Sequence, residues 1–204
     1  MAFGDLFRTV TGRLGGAPAV PREAHAVRGL RVVVENTRPD VSTPAVLERL
    51  DEALALVEQY QPWRLAHLRR DAREIRVVRF ACRGAFLPAE RAVITELTFL
   101  ARRDITAAPV ASSIVHEGVH ARVHAAGEYF GWRRAEERWA EELPREERLC
   151  RRAELAFGRA LPVALGGPVV ARAEELLGLA DEDVAPAVDW RVAEERIRER
   201  DRRG

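Results

Sequence analysis

The sequence predicts an α+β fold, in which a small mixed or antiparallel sheet is backed by a helix and followed by a helical lower half. Runs rich in β-branched and apolar residues, which are typical of strands, occur in the first half of the chain, at Leu30–Glu35, 74–82 and 92–100. A segment with helical spacing of its apolar residues separates the first run from the other two. Beyond residue 109, helical spacing dominates.

The first strand, Leu30–Glu35, ends in a turn and leads into a helix. Ser42 or Thr43 can cap that helix, because a hydroxyl oxygen at this position accepts a hydrogen bond from the first turn. Apolar positions then keep helical spacing to about Tyr60. Pro62 is predicted to interrupt the helix and to leave a connecting segment.

Two further strands are predicted at 74–82 and 92–100. Gly84 and Pro88 lie between them and favour a turn. The two strands are therefore expected to form an antiparallel hairpin or meander.

The rest of the chain is predicted to be helical. Pro109 suits the first turn of a helix that Gly127 should end, and Pro144 should separate the next two helices. A Gly-Gly-Pro sequence at 166–168 is expected to break the chain again. The predicted helices lie at about 110–126, 133–142, 145–160, 169–179 and 190–200.

These elements predict three parts of the chain. Residues 1–20 form an amphipathic segment and linker, which is expected to dock on its own domain or else on a membrane or partner. Residues 21–165 form the main domain, and residues 166–204 form a helical appendage. A chain of 204 residues is long enough for one sizeable core.

Composition excludes several classes of function. The formal net charge is +1, so no long-range field favours nucleic acid or an acidic membrane. Cys82 and Cys150 are the only cysteines and form no metal-ribbon pattern, so both are interpreted as small buried residues. No signal peptide and no apolar span are evident. A cytoplasmic protein without integral membrane association is expected, and the oligomeric state is left open.

The motif that carries chemistry is His116-Glu117-Gly118-Val119-His120, within a predicted helix. Residues i and i+4 project from one helical face, so both imidazoles can bind one metal ion. Glu117 lies about 100° around the helix from His116, where its carboxylate can take a proton from a metal-activated water. The pattern HExxH therefore predicts a zinc-dependent hydrolase with His116 and His120 as ligands and Glu117 as general base.

A catalytic zinc ion usually takes three protein ligands, and several side chains are candidates for the third. His124 is a weak candidate, because it stands about 12 Å of helical rise from His116. The acidic helix after Pro144 is a better source, with Glu146, Glu147 and Glu154. For Glu146, the alternative interpretation is that it belongs to a solvated face of Arg and Glu residues.

The region from about Val93 to Leu161 resembles the gluzincin branch of the zincin metallopeptidases, and in particular an uncharacterised group of small bacterial HExxH proteins. The sequence HEGVHAR, followed by the run ERLCRRAELAF at 147–157, carries this resemblance. It implies that Glu147, or alternatively Glu154, completes the zinc site. Since the two residues are seven apart on one helical face, the other could orient a ligand imidazole.

The same resemblance suggests how a substrate is bound. It implies that the strand at about 92–100 lines the cleft and pairs with an extended peptide.

Tyr129 is expected to stabilise the oxyanion, with His124 or Arg122 as alternatives.

The predicted function is hydrolysis of a peptide or related amide bond in a peptide or protein substrate. The alternative is a non-catalytic, zinc-containing pseudo-enzyme that binds a partner in the same cleft. Glu117 favours the enzyme, because metal binding alone requires no carboxylate at that position.

Overall fold

The computed structural model describes residues 21–129 and 136–180, with a few single positions beyond. Five strands form one mixed sheet in this part of the chain. The strand order is β1-β2-β3-β5-β4. The two outer pairs are antiparallel, and the inner pairs β2–β3 and β3–β5 are parallel. The predicted α+β class and the mixed sheet are confirmed. The strands are β1 (Arg22–Val27), β2 (Leu30–Glu35), β3 (Glu74–Val78), β4 (Gly84–Leu87) and β5 (Ala92–Glu96).

Strand β1 is not predicted from the sequence, because most of its side chains are exposed and its apolar pattern is weak. A two-residue turn joins it to β2. Both turn residues have positive φ, 46° at Arg28 and 74° at Gly29, as the common two-residue hairpin turns require. The Arg28 side chain is held by Asp51 and Glu58 of the neighbouring helix.

The predicted antiparallel pairing of the runs at 74–82 and 92–100 is wrong. Strands β3 and β5 are neighbours but run parallel, from Glu74 opposite Ala92 to Val78 opposite Glu96. The segment with Gly84 and Pro88, interpreted as a turn, contains β4, which pairs antiparallel with β5. Strand β4 therefore lies at one edge of the sheet, and β1 lies at the other.

Helix α1 (Thr43–Tyr60) confirms the first predicted helix, and the Ser42 hydroxyl accepts a hydrogen bond from the Ala45 amide at 3.4 Å. Pro62 does not begin a connecting segment. It occupies the first position of a second helix, α2 (Pro62–Asp71). A proline is well tolerated there, because its missing N–H group would have no partner within the helix.

Strand β5 is shorter than predicted because the chain turns at Glu96. The Glu96 carboxylate accepts a hydrogen bond from the Phe99 amide at 2.7 Å and caps the short helix α3 (Leu97–Ala101). The long helix α4 (Ala107–Tyr129) follows and carries the paired histidines. Gly127 lies within α4 and does not end it, since an interior glycine costs a helix only about 1 kcal/mol.

The predicted break at Pro144 is also wrong. A single helix, α5 (Glu136–Ala160), runs through Pro144, and α6 (Val163–Leu177) likewise runs through Pro168. The predicted domain boundary at residue 165 lies inside α6, whose Val169 and Ala173 are buried. The amphipathic segment at 1–20 and nearly all of the helix at 190–200 lie outside the described residues.

Helix α4 is the centre of the packing. It contacts α1, α2 and α5 as well as strands β4 and β5. His116 of α4 contacts Glu154 of α5, and His120, one turn further along α4, contacts Glu146, which comes earlier in α5. The two helices therefore run antiparallel. None of the helices in the described residues has the length and apolar character needed to cross a membrane.

Helices α5 and α6 approach each other closely at two glycines. A Cβ atom on Gly166 would lie 2.0 Å from the Gly158 carbonyl oxygen, whereas one on Gly167 would meet nothing within 4 Å. The close approach therefore depends on hydrogen atoms in place of side chains at Gly158 and Gly166.

This pair provides a matched test of the packing. Gly166→Ala should lower the free energy of unfolding by about 1 to 3 kcal/mol or more, because α6 must move away from α5. Gly167→Ala should stabilise the chain by up to about 1 kcal/mol, because alanine favours helix where there is room. Thermal unfolding followed by circular dichroism measures both. Equal midpoints for the two variants would contradict this arrangement of α5 and α6.

Candidate metal centre

Two imidazole rings project from one face of α4 into its interface with α5. His116 and His120 are one helical turn apart, and their ring centroids lie 5.0 Å apart. Their Nε2 atoms are separated by 3.2 Å. The predicted pair therefore points two ring nitrogens at one common position.

The Glu147 carboxylate reaches the same position from α5. Its Oε2 atom lies 3.3 Å from His116 Nε2, and its Oε1 atom lies 3.2 Å from His120 Nε2. Glu147 is the residue that the gluzincin resemblance implies as third ligand. Three candidate ligand groups from two helices thus stand 3.2 to 3.3 Å apart.

These distances fit a zinc ion. Zinc binds imidazole nitrogen and carboxylate oxygen at about 2.0 to 2.2 Å in tetrahedral geometry. Ligand atoms at the corners of such a tetrahedron are about 3.3 to 3.6 Å apart. The triangle formed by the two Nε2 atoms and the Glu147 carboxylate has nearly this size.

The Nδ1 atoms of both histidines face carboxylates. The Glu154 Oε1 atom lies 2.5 Å from His116 Nδ1, and the Glu146 Oε1 atom lies 2.7 Å from His120 Nδ1. A carboxylate at Nδ1 holds a proton there, fixes the ring orientation and leaves Nε2 free for a metal. Glu154, the alternative ligand in the sequence prediction, thus contacts an imidazole at the nitrogen remote from the common position.

Interpreting Glu146 as part of a solvated face is wrong. Glu146 is 7% exposed, and it contacts His120. Neighbouring residues on a helix point about 100° apart, so the sequence could not show that Glu146 and Glu147 both face α4.

The electrostatics show how strongly this site attracts positive charge. Burial lowers the pKa of the His116 imidazole, but Cys150, Glu147 and Glu154 raise it to about 10. Burial raises the pKa of the Glu147 carboxyl group, but hydrogen bonds from His116 and His120 bring it well below its usual range. A metal cation at this position would displace protons from the imidazoles and satisfy the same carboxylate.

Cys150 belongs to the same cluster, which the sequence did not predict. Its thiol is fully buried. One ligand atom from each of His116, His120 and Cys150 lies within 4.8 Å of the others, a grouping that could hold a metal ion. The spacing i, i+3 between Glu147 and Cys150 was the available signal, since such residues share a helical face.

Glu117 lies beside the cluster and under the edge strand. It is buried, and burial raises the pKa of its carboxyl group although the two nearby imidazoles oppose that rise. A Cβ atom on Gly84 of β4 would lie 2.9 Å from Glu117 Oε1 and 2.9 Å from Ser113 Oγ. The absence of a side chain at Gly84 thus leaves room for the carboxylate.

The candidates for the oxyanion site are not brought to the cluster. Tyr129 is the last residue of α4, is 85% exposed, and lies about 13 Å of helical rise beyond His120. His124 packs on Phe86 of β4, with ring centroids 5.7 Å apart. Arg122 lies 3.7 Å from the carboxylate of Asp71.

No family model, curated protein or solved structure matches this chain. The resemblance to gluzincins therefore stays a prediction, and the function has to be inferred from the geometry of the cluster.

The cluster predicts a graded loss of metal. Wild-type protein should hold about one zinc ion per chain. Loss of a residue that hydrogen-bonds to a metal ligand typically weakens affinity by ~10 to 100-fold, and Glu147→Gln should weaken zinc affinity by more than this. Glu154→Gln, which changes the contact to His116 Nδ1, should fall within that range. Titration against a competing chelator measures all three affinities.

Glu174→Gln is the matched control, because Glu174 is exposed and pairs with Arg159 on the surface. Its zinc affinity should equal that of wild type. If Glu154→Gln weakens zinc binding more than Glu147→Gln does, Glu154 is the ligand and Glu147 is not.

Proposed function

We propose that the chain is a zinc-dependent metallopeptidase that hydrolyses a peptide or related amide bond. The observation that carries this proposal is the convergence of His116, His120 and Glu147 on one position, with the Glu117 carboxylate buried beside it. Few purposes other than metal binding explain why two imidazoles and a carboxylate are buried in mutual contact.

The proposed roles follow from the contacts. His116, His120 and Glu147 would hold zinc, while Glu154 and Glu146 orient the two imidazoles. A bound zinc ion lowers the pKa of water towards 7 and polarises a carbonyl group. Glu117 would accept a proton from the attacking water and pass it to the leaving amine. Its burial favours this role, because a raised pKa brings a carboxylate closer to the range of an efficient general base.

The edge strand provides a place for an extended substrate. Strand β4 pairs with β5 on one side, and among the described residues no strand pairs with its other side. Gly84 at its beginning lies directly over Glu117. A peptide added as a further strand along β4 would therefore pass the general base. This assigns to β4 the role predicted for the strand at 92–100, since β5 has no free edge.

A partner-binding module without catalysis is the alternative. It would use the same cluster for stability and the same edge strand for recognition. Glu117 distinguishes the two functions, because a module that only binds a metal gains nothing from a buried carboxylate that neither binds the metal nor orients a ligand imidazole.

Glu117→Gln tests the general base. The amide has nearly the same size but cannot accept the proton, so cleavage of a peptide library should fall by about 10² to 10⁴-fold. Zinc content and thermal stability should stay near those of wild type. Cleavage that persists in the variant would place the active site elsewhere. A partner bound equally well by wild type and Glu117→Gln, with cleavage by neither, would favour the binding module.

Gly84→Ala tests the contact between the edge strand and the general base. The new methyl group would displace the Glu117 carboxylate, and a shift of about 1 Å can cost about 10²-fold in rate. Zinc binding should survive, because the three atoms nearest the new methyl group belong to Glu117 and Ser113, neither of which is a proposed ligand.

Gly118→Ala is the control, since its Cβ atom would meet only Leu68 Cδ1, at an ordinary 3.6 Å. Its cleavage rate should stay close to that of wild type. Equal rates for Gly84→Ala and wild type would show that Glu117 is not positioned by β4.

A further inference from the structure

The Cys150 thiol is the one group of the cluster to which the proposed hydrolysis gives no role. Cys150 lies one helical turn after Glu147 and one turn before Glu154, on the face of α5 that meets α4. Its side chain is fully buried, and its sulfur lies within 4.8 Å of one ring nitrogen of His116 and one of His120. The thiol thus lies among groups that converge on one position.

Packing alone does not explain this location well. A buried cysteine usually behaves as a small apolar residue, and apolar neighbours suit it best. Here the neighbours include the His116 and His120 imidazoles and the Arg64 guanidinium. A thiolate is a strong zinc ligand, with Zn–S bonds of about 2.3 Å, and a thiol that binds zinc releases its proton to solvent.

The number of ligands decides the state of the site. Structural zinc sites have four protein ligands and are closed, whereas catalytic sites have three and keep one position for water. His116, His120 and Glu147 supply three. The ligand atoms of Cys150 and the two histidines lie within 4.8 Å of one another, so a small movement of the thiol would make it the fourth.

We infer that Cys150 is a fourth protein ligand of the same metal ion and that it closes the site in the resting chain. This inference rests on the proposed metal site and names its regulation. The chain is then a latent hydrolase, in which water reaches the metal only after the Cys150 sulfur withdraws from it. Substituting Cys150 should leave a site with three protein ligands and an open position.

Cobalt(II) substitution tests the inference, because a thiolate bound to cobalt gives an intense charge-transfer band in the near ultraviolet that nitrogen and oxygen ligands do not give. The full-length chain is freed of metal, loaded with one equivalent of cobalt(II), and its absorption spectrum is recorded. Wild type should show the band, and Cys150→Ser should lose it while still binding cobalt.

Cys82→Ser is the matched control, since Cys82 is the only other cysteine of the chain. It should keep the band. If Cys150→Ser does not fold, the band in Cys82→Ser still decides the matter, because Cys150 is then the only thiol left. A wild-type spectrum with bound cobalt and no charge-transfer band would overturn the inference.

Cleavage assays on the zinc forms separate this inference from the proposed function. A cobalt–thiolate band, with no cleavage by wild type or by Cys150→Ser, would support the fourth ligand and count against the hydrolase. Cleavage by wild type without the band would support the hydrolase and count against Cys150 as a metal ligand. Higher cleavage per bound zinc in Cys150→Ser than in wild type would support both.

Discussion

The structure depends on how the interface between α4 and α5 accommodates buried charge. Three carboxylates, those of Glu146, Glu147 and Glu154, face two imidazoles there, and all of these side chains are largely withdrawn from water. Removing a charged group from water is costly unless an opposite charge compensates it. Arg151 contributes one such charge by pairing with Glu154 at 2.6 Å. With neutral imidazoles the site still carries excess negative charge, which protons or a divalent cation can neutralise.

This requirement explains the raised pKa values of both histidines and would also be met by a metal cation. Protons on the imidazoles neutralise the carboxylates but fill the Nε2 positions, whereas a metal cation supplies two charges and binds the Nε2 atoms directly. The site is therefore arranged to exchange protons for a metal ion. Because Nδ1 of each histidine already faces a carboxylate, the rings need no reorientation when that exchange occurs.

The fold brings these groups together through the antiparallel packing of α4 and α5. Glu146, Glu147, Cys150 and Glu154 lie on one continuous stretch of α5 after Pro144, which keeps them in register with one face of α4. The sheet contributes from the other side, where the bare backbone at Gly84 lets β4 lie against Glu117. One helix thus carries the two proposed histidine ligands and the proposed general base, and its neighbours carry the remaining groups of the cluster.

Features that depend only on residues close together in the sequence were predicted correctly. The strand Leu30–Glu35, the helix Thr43–Tyr60 and the pairing of His116 with His120 each follow from spacing within a few residues, and the structure has all three. Strand β4 was not predicted, because Gly84 at its start and Pro88 directly after it are typical of a turn. The roles of Glu146 and Cys150 depend on which face of α5 meets α4. The spacing of Glu147 and Cys150 shows that these two share a face, but not that this face meets α4. Glu147 was predicted from a resemblance to other proteins, while its distances to the imidazoles come from the tertiary structure.

Zinc-edge anomalous scattering from crystals of the zinc-loaded protein would locate the metal without reference to any assay of activity. One peak per chain is expected, at a position bounded by His116 Nε2, His120 Nε2 and the Glu147 carboxylate. A peak at any other position, or zinc-loaded crystals without a peak at this one, would contradict the proposed metal centre.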